Sequence, residues 1–287
     1  MRSVVWASFV LLVAFASGCG APARPDESRT PAVRGTAEPP AAPTPSPATD
    51  EVRRVEIAGL PASEPFVSLP VEGHLDAVVA VPVGALAPRP VLVATHGAGG
   101  SPEEHCEHWQ RLLGGRAFIL CPRGVALKTT VPLGEGQYFY DGHPRLVREV
   151  RLALVALSLR FGGLVDTQGA VYAGYSQGAT MGALALPLMP GLFSRALLIE
   201  GGDAEWDRRA ARIFKAEGGQ RVLFACGRSR CAENARRSAG YLEKESVETR
   251  VLHAEGAGHT YGGPVEELVR GSFEWLVEGD SRWSPPP

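Results

Sequence analysis

The chain predicts an α/β domain, a mostly parallel, doubly wound sheet of about eight strands with helices on both faces. Three observations carry this. From Val91 onward, short apolar and β-branched runs alternate with longer segments of helical periodicity, the pattern of parallel strands joined by crossover helices. The run Val171–Gly178, VYAGYSQG, passes from strand to helix through one tight turn set between two glycines. The 287 residues, 45% hydrophobic and 21% charged, suit a single large core. A net charge of −2 with no basic stripe excludes a nucleic-acid partner, and no zinc-type spacing of ligands is present.

Both ends read as lying outside this domain. Residues 1–18 have the form of a signal peptide: Arg2 supplies the positive start and Val4–Ala16 an apolar stretch too short to span a membrane. Ala16-Ser17-Gly18-Cys19 resembles the lipobox of bacterial lipoproteins, which implies lipidation of Cys19 and an exported protein held on the cell envelope by its N-terminus. Ala16 stands where leucine is usual, so plain signal cleavage is the alternative. Residues 19–50, rich in Pro, Ala, Thr and Ser, cannot bury a core and read as a disordered linker. The domain is expected over 51–279 and a disordered tail over 280–287.

Within the domain, Val52–Ala58, Phe66–Leu69 and Leu75–Val81 read as short strands of an antiparallel lead-in. Val91–Thr95, continuous and β-branched, reads as a buried parallel strand. Helix Pro102–Leu113, strand Ala117–Cys121, helix Pro144–Phe161 and strand Ala170–Tyr175 follow. A helix from Gln177 to Leu188 leads to strand Arg195–Ile199 and helix Trp206–Glu217. Strand Arg221–Ala225, helix Cys231–Glu245, strand Val247–Leu252 and helix Val265–Glu278 complete the series. Ligands of such sheets sit at the carboxyl ends of the strands. Residues 125–143 form the longest irregular stretch, and Tyr138 and Tyr140 within it are expected to wall a substrate pocket, with simple packing as the alternative. The connection at 200–206 is too short for a lid domain, which predicts an open site.

Setting Cys19 aside leaves Cys106, Cys121, Cys226 and Cys231, an even number in an exported chain. Of the three possible connectivities, Cys106–Cys121 joins a helix to the next strand and Cys226–Cys231 closes a short loop. Four free thiols are the alternative.

The chemistry gathers around Ser176. The flanking Gly174 and Gly178 let strand and helix backbones approach closely, leaving the serine exposed above a helix N-terminus. A serine hydroxyl needs a base. Of seven histidines, His259 lies in a small-residue loop after the last strand, Glu255-Gly256-Ala257-Gly258-His259. A tetrahedral intermediate needs two backbone donors; Gln177 follows the serine, and Ala98 lies in the glycine loop His96-Gly97-Ala98-Gly99-Gly100. His96 reads as a loop-holding side chain. His105 and His108 share a helix, lack a third ligand in register, and read as a solvated face with no metal.

Taken together, these residues resemble the α/β-hydrolase superfamily over about residues 52–278, most closely small secreted esterases of the dienelactone-hydrolase, feruloyl-esterase and polyhydroxyalkanoate-depolymerase type. The carrying motifs are His96–Gly100, Cys121-Pro122-Arg123-Gly124, Gly174–Gly178 and Gly258-His259. The resemblance implies a serine esterase without cofactor or metal, acting on a small-molecule or polymer-end ester, with Ser176 as nucleophile and His259 as base. It also exposes a gap. The acid usually follows the strand placed at 221–225, yet Cys226-Gly227-Arg228-Ser229-Arg230-Cys231 holds no carboxylate. An acid after the preceding strand is the other solution, with Asp203 expected there and Glu200 and Glu233 as alternatives. The gap leaves open a catalytically impaired binding protein of the same fold; a serine peptidase of the fold is the nearer rival. The sequence carries no signal of oligomeric state.

Overall fold

A computed structural model describes residues 65–128, 132 and 135–284. The expected signal peptide, Cys19, the linker, the strand at Val52–Ala58 and residues 285–287 lie outside the described residues. Among those described, no helix is long and apolar enough to cross a membrane.

Among the described residues, ten strands and six α-helices follow one another. β1 (Phe66–Leu69), β2 (Ala77–Ala80) and β3 (Arg89–Thr95) lead to α1 (Pro102–Leu113) and β4 (Phe118–Cys121). Two short strands, β5 (Val125–Ala126) and β6 (Tyr138–Phe139), precede α2 (His143–Phe161), β7 (Val165–Tyr175) and α3 (Gln177–Ala185). β8 (Phe193–Ile199), α4 (Arg208–Ala216), β9 (Arg221–Cys226), α5 (Ser229–Lys244), β10 (Glu248–His253) and α6 (Pro264–Val277) complete the order. Eight strands make one sheet in the order β1-β2-β4-β3-β7-β8-β9-β10. β1, β2 and β4 pair antiparallel, and every pairing from β4 through β10 is parallel. The fold class is therefore as the sequence predicts.

Alternation along each strand sorts the core into two layers. On β3, Val91 and Val93 face the layer that holds α2, α3, α4 and α5, whereas Leu92 and Ala94 face α1 and α6. Both layers are apolar, so the central strands read as continuous hydrophobic runs. α1 starts where the sequence marks it: the Ser101 hydroxyl accepts from the Glu104 N–H at 3.3 Å, Pro102 opens the first turn, and Glu103 and Glu104 face the positive end of the helix.

Three local features differ from expectation. β7 begins at Val165 rather than Ala170, because Val165 and Asp166 already pair with Arg89 and Pro90 on the neighbouring strand, and a register shift follows before Val171. Residues 125–143 are partly regular, since β5 and β6 form a two-stranded ribbon. The tail expected from residue 280 is corrected: Ser281–Trp283 form a turn, and Trp283 is buried against Phe273. Asp280 pairs with Arg195 and Arg282, so the packed domain extends at least to Ser284, whose carbonyl accepts from Arg89. One tryptophan outweighs the polar residues around it.

The cysteines pair as Cys106–Cys121, between α1 and the end of β4, and Cys226–Cys231, between the end of β9 and the first turn of α5. Closing a loop of 15 residues removes about 3 kcal/mol of unfolded-chain entropy in the loop-closure account. Urea unfolding with and without reductant should show the midpoint fall on reduction. An unchanged midpoint would mean the thiols are not bonded.

Candidate active site

The carboxyl ends of β3, β7, β8, β9 and β10 meet along one edge of the sheet, and each contributes to a single cluster. Ser176 follows β7 with φ 51°, a conformation L-residues rarely adopt. The turn is tight enough to require both glycines. A Cβ on Gly174 would stand 2.6 Å from the Ala179 nitrogen, and one on Gly178 would stand 2.4 Å from the Thr95 carbonyl oxygen. The Ser176 N–H donates to the Ile199 carbonyl at 2.8 Å, which ties the turn to the end of β8.

His259 comes from the loop after β10. Ala254 N–H binds the Cys226 carbonyl at 2.8 Å, and the Tyr175 hydroxyl donates to the His259 carbonyl at 3.0 Å, so the loop is held over the strand ends. Its Nε2 lies 2.8 Å from Ser176 Oγ and its Nδ1 lies 2.9 Å from Glu200 Oε2. The three side chains thus form an unbroken line of hydrogen bonds. His259 remains 41% exposed while the Glu200 side chain is fully buried, so the imidazole opens to solvent and the carboxylate does not.

Glu200 directly follows β8, also with positive φ, 52°. Among the described residues only three non-glycines have positive φ, and Ser176 and Glu200 are two of them. Its Oε1 accepts from the backbone N–H groups of Gly227 at 2.6 Å and Arg228 at 2.9 Å, and its Oε2 accepts from Arg228 Nε as well as from His259. Burial alone would raise the pKa of this carboxyl. The hydrogen bonds from His259, the two backbone N–H groups and the Arg228 guanidinium outweigh that and hold it below the usual carboxylate range.

The expectation for Asp203 is corrected by this geometry. Its carboxylate accepts from Asn234 at 2.9 Å and its carbonyl from Ser238, so it caps the space between the β8–α4 connection and α5. The alternative Glu200 occupies the position beside the imidazole. Glu233 is exposed on α5. A chain leaving β8 presents its first residue at the strand end, whereas three residues later it has already turned away.

The glycine loop after β3 lies against the serine: a Cβ on Gly97 would fall 3.2 Å from Ser176 Cβ. Gly99 N–H binds the Tyr138 carbonyl and Tyr138 N–H the Gly100 carbonyl, at 2.8 and 2.9 Å. Among the described residues the backbone N–H groups of Ala98 and Gln177 donate to no protein acceptor. His96 is buried, with its ring nitrogens 2.8 Å from the Gly97 carbonyl and 3.0 Å from that of Arg123, and burial lowers its pKa despite both carbonyls. It holds the loop, as its place in the sequence predicts.

Tyr138 and Tyr140 do not wall a substrate pocket, and that expectation is corrected. Both are almost completely buried, Tyr138 beneath the Arg123 guanidinium and Tyr140 stacked on His96 at 4.8 Å. The Tyr140 hydroxyl donates to the Pro122 carbonyl, and its backbone exchanges two hydrogen bonds with the Gln177 amide. Their role is to brace the glycine loop. The reading of His105 and His108 as a solvated face is corrected as well. Both are buried, packed edge-on against Tyr261 at 5.4 and 4.7 Å, and His105 Nε2 accepts from the Trp109 indole. Burial pushes His105 well down and His108 to about 4. His105, Trp109 and Leu113 recur at helical spacing, a sequence signal for a buried face.

Tyr175 and Tyr261 were missed by sequence reasoning. With the glycine loop, Glu104 and His105 they line a cavity of about 180 Å³ beside the serine. One trio of ligand-type side chains is close enough to hold a metal among the described residues, Glu200 with Cys226 and Cys231. Its sulfurs are consumed in the disulfide and its carboxylate in hydrogen bonds, so the donor set does not fit an ion.

No protein-family model matches the chain, and no curated protein matches it. Solved structures do. Esterase PE8 aligns over 73% of this chain and all of its own, with a TM-score of 0.55 at 16% identity. An esterase from Pyrobaculum calidifontis aligns over 79% of this chain and 88% of its own, with a TM-score of 0.53 at 14% identity. TT1662 from Thermus thermophilus gives 75% and 98%, with a TM-score of 0.51 at 19% identity. Likeness at such identities is a likeness of architecture, and it shows that this chain has the α/β-hydrolase fold.

Proposed function

We propose that this protein is a serine hydrolase that cleaves carboxylic esters through an acyl-enzyme on Ser176. The observation that carries the reading is the hydrogen-bonded line Ser176 Oγ–His259 Nε2–His259 Nδ1–Glu200 Oε2, at 2.8 and 2.9 Å. In this reading His259 takes the hydroxyl proton as Oγ attacks the ester carbonyl, then returns it to the departing alcohol. Glu200, held ionised by its four hydrogen bonds, fixes the imidazole with its proton on Nδ1 and stabilises the imidazolium as it forms. The unengaged N–H groups of Gln177 and Ala98 serve the oxyanion, the first at the N-terminus of α3 where negative charge is favoured. Water then enters by the same route and releases the acid.

The cavity beside the serine sets the scale of the substrate. About 180 Å³ exceeds by little the ~150 Å³ that encloses a benzene ring, which gives room for a short acyl or single-ring group. The exposed His259 gives small esters and the ends of polymer chains free approach. The impaired binding protein of the same fold rested on the absent acid after β9, and Glu200 removes that motive. The lipid-anchored envelope location stays part of the proposal; it rests on the sequence before Cys19 alone.

A fluorophosphonate probe tests the nucleophile. The wild-type protein should be labelled stoichiometrically and Ser176→Ala not at all. A wild type that resists the probe while remaining folded would return the binding-protein reading.

A further inference from the structure

Three of the four hydrogen bonds on the Glu200 carboxylate come from two adjacent residues, Gly227 and Arg228. They belong to a segment whose ends are tied by the Cys226–Cys231 bond, with Cα atoms 5.6 Å apart. A carboxylate oxygen and both sulfurs lie within 4.8 Å of one another, so the tied segment sits directly against the acid. It also presses on the base's loop: a Cβ on Gly227 would stand 2.2 Å from the Gly258 carbonyl oxygen. The outcome is that Arg228 Nε and His259 Nδ1 donate to the same oxygen, Oε2.

Arg228 is also an unusual residue for its place. It is the N-cap of α5, where a side-chain oxygen ordinarily accepts from the first turn, and it makes no such bond. A cation at the positive end of a helix is disfavoured. Departures from local rules of this kind concentrate at functional sites.

We infer that Arg228 sets the share of negative charge that Glu200 offers His259, and so the lowest pH at which His259 can act as base. It is a positioning residue that works through Glu200, and the inference rests on the triad reading above. A guanidinium on Oε2 opposes formation of a second cation beside it, which favours neutral imidazole and extends the working range toward acid. The other titratable groups near the pair are Arg230, which lines a hollow with Arg228 and Cys231, and two tyrosines. Tyr175, at the end of β7, has its pKa raised by burial first and then by the Glu200 charge, and so stays neutral; Tyr261, beyond β10, is raised in the same way by burial first. The disulfide contributes no titrating group. Arg228 is 52% exposed, so solvent and salt weaken its hold.

The test is the pH profile of kcat/KM on p-nitrophenyl acetate for Arg228→Gln and Arg228→Lys, across about pH 5 to 9. Arg228→Gln should move the acid limb upward by about half to one pH unit. Arg228→Lys keeps the charge and should hold the wild-type limb. About 1 M salt should carry the wild-type limb toward that of the Gln variant. An unmoved limb in Arg228→Gln overturns the inference, as does an equal loss for Gln and Lys at every pH, the mark of a merely structural part. Glu200→Gln, run alongside, separates the two levels. Full turnover there sinks the triad itself, whereas lost turnover with an unmoved Arg228→Gln limb sinks only the role of Arg228.

Discussion

Glu200→Gln is expected to lower kcat by about 10⁴, while Asp203→Asn stays within about threefold of wild type. The amide retains the shape of the carboxylate but removes its charge, and either orientation spoils the geometry. With nitrogen toward His259, two donors meet and the imidazole is driven to the wrong tautomer. With oxygen toward His259, the amide nitrogen instead confronts the N–H groups of Gly227 and Arg228, which are 2.6 and 2.9 Å from the present Oε1. Leaving buried donors unsatisfied costs stability too, about 1–3 kcal/mol each, so the variant should also melt earlier. Asp203 has neither consequence, because its partners are Asn234 and Ser238 and it lies off the line to Ser176. Initial rates on p-nitrophenyl acetate for the two variants decide the matter. Near-normal turnover in Glu200→Gln would remove Glu200 from the mechanism.

That contrast also shows why part of the site was legible and part was not. The serine turn could be read because its steric demand is written in residue types: only glycine fits at 174 and 178, where Cβ atoms would overlap backbone. The core strands could be read because both layers of the sheet are apolar, leaving unbroken runs such as Val91-Leu92-Val93-Ala94. The choice of Glu200 over Asp203 as the partner of His259 could not be read, because the two occupy one turn and are separated by a backbone angle, the positive φ of Glu200, that residue type does not announce. The segment after β9 was read as lacking something. It is in fact complementary, since Gly227 and Arg228 provide donors to a carboxylate that arrives from the neighbouring strand. Tyr138 and Tyr140 misled for a related reason: aromatic residues in an irregular stretch resemble a pocket wall until the β5–β6 ribbon folds them under the glycine loop.

The buried histidines of α1 predict a second large effect, on stability rather than turnover. His108 falls from 6.5 to about 4, first through burial, opposed by Glu266 and reinforced by Arg111 and Arg270, and burial also holds His105 well below its usual value. Both therefore resist protonation when folded, whereas the unfolded chain protonates them in the ordinary imidazole range. Between about pH 6.5 and 4 the unfolded state binds more protons, so stability falls as pH falls through that range. For His108 the change is worth about 3 kcal/mol at 1.36 kcal/mol per pH unit, and His105 adds to it. The lowered Glu200 carboxyl acts elsewhere: its contribution is present above its unfolded pKa and is lost only as pH drops through the lower folded value. Urea midpoints at about pH 7 and 4.5 should thus differ widely in the wild type and by much less in the His105→Gln/His108→Gln double variant. Glutamine at 105 can still accept from the Trp109 indole, so the comparison isolates the protons from the packing. Equal pH slopes in the two proteins would show that these imidazoles are not the groups that take up protons on unfolding.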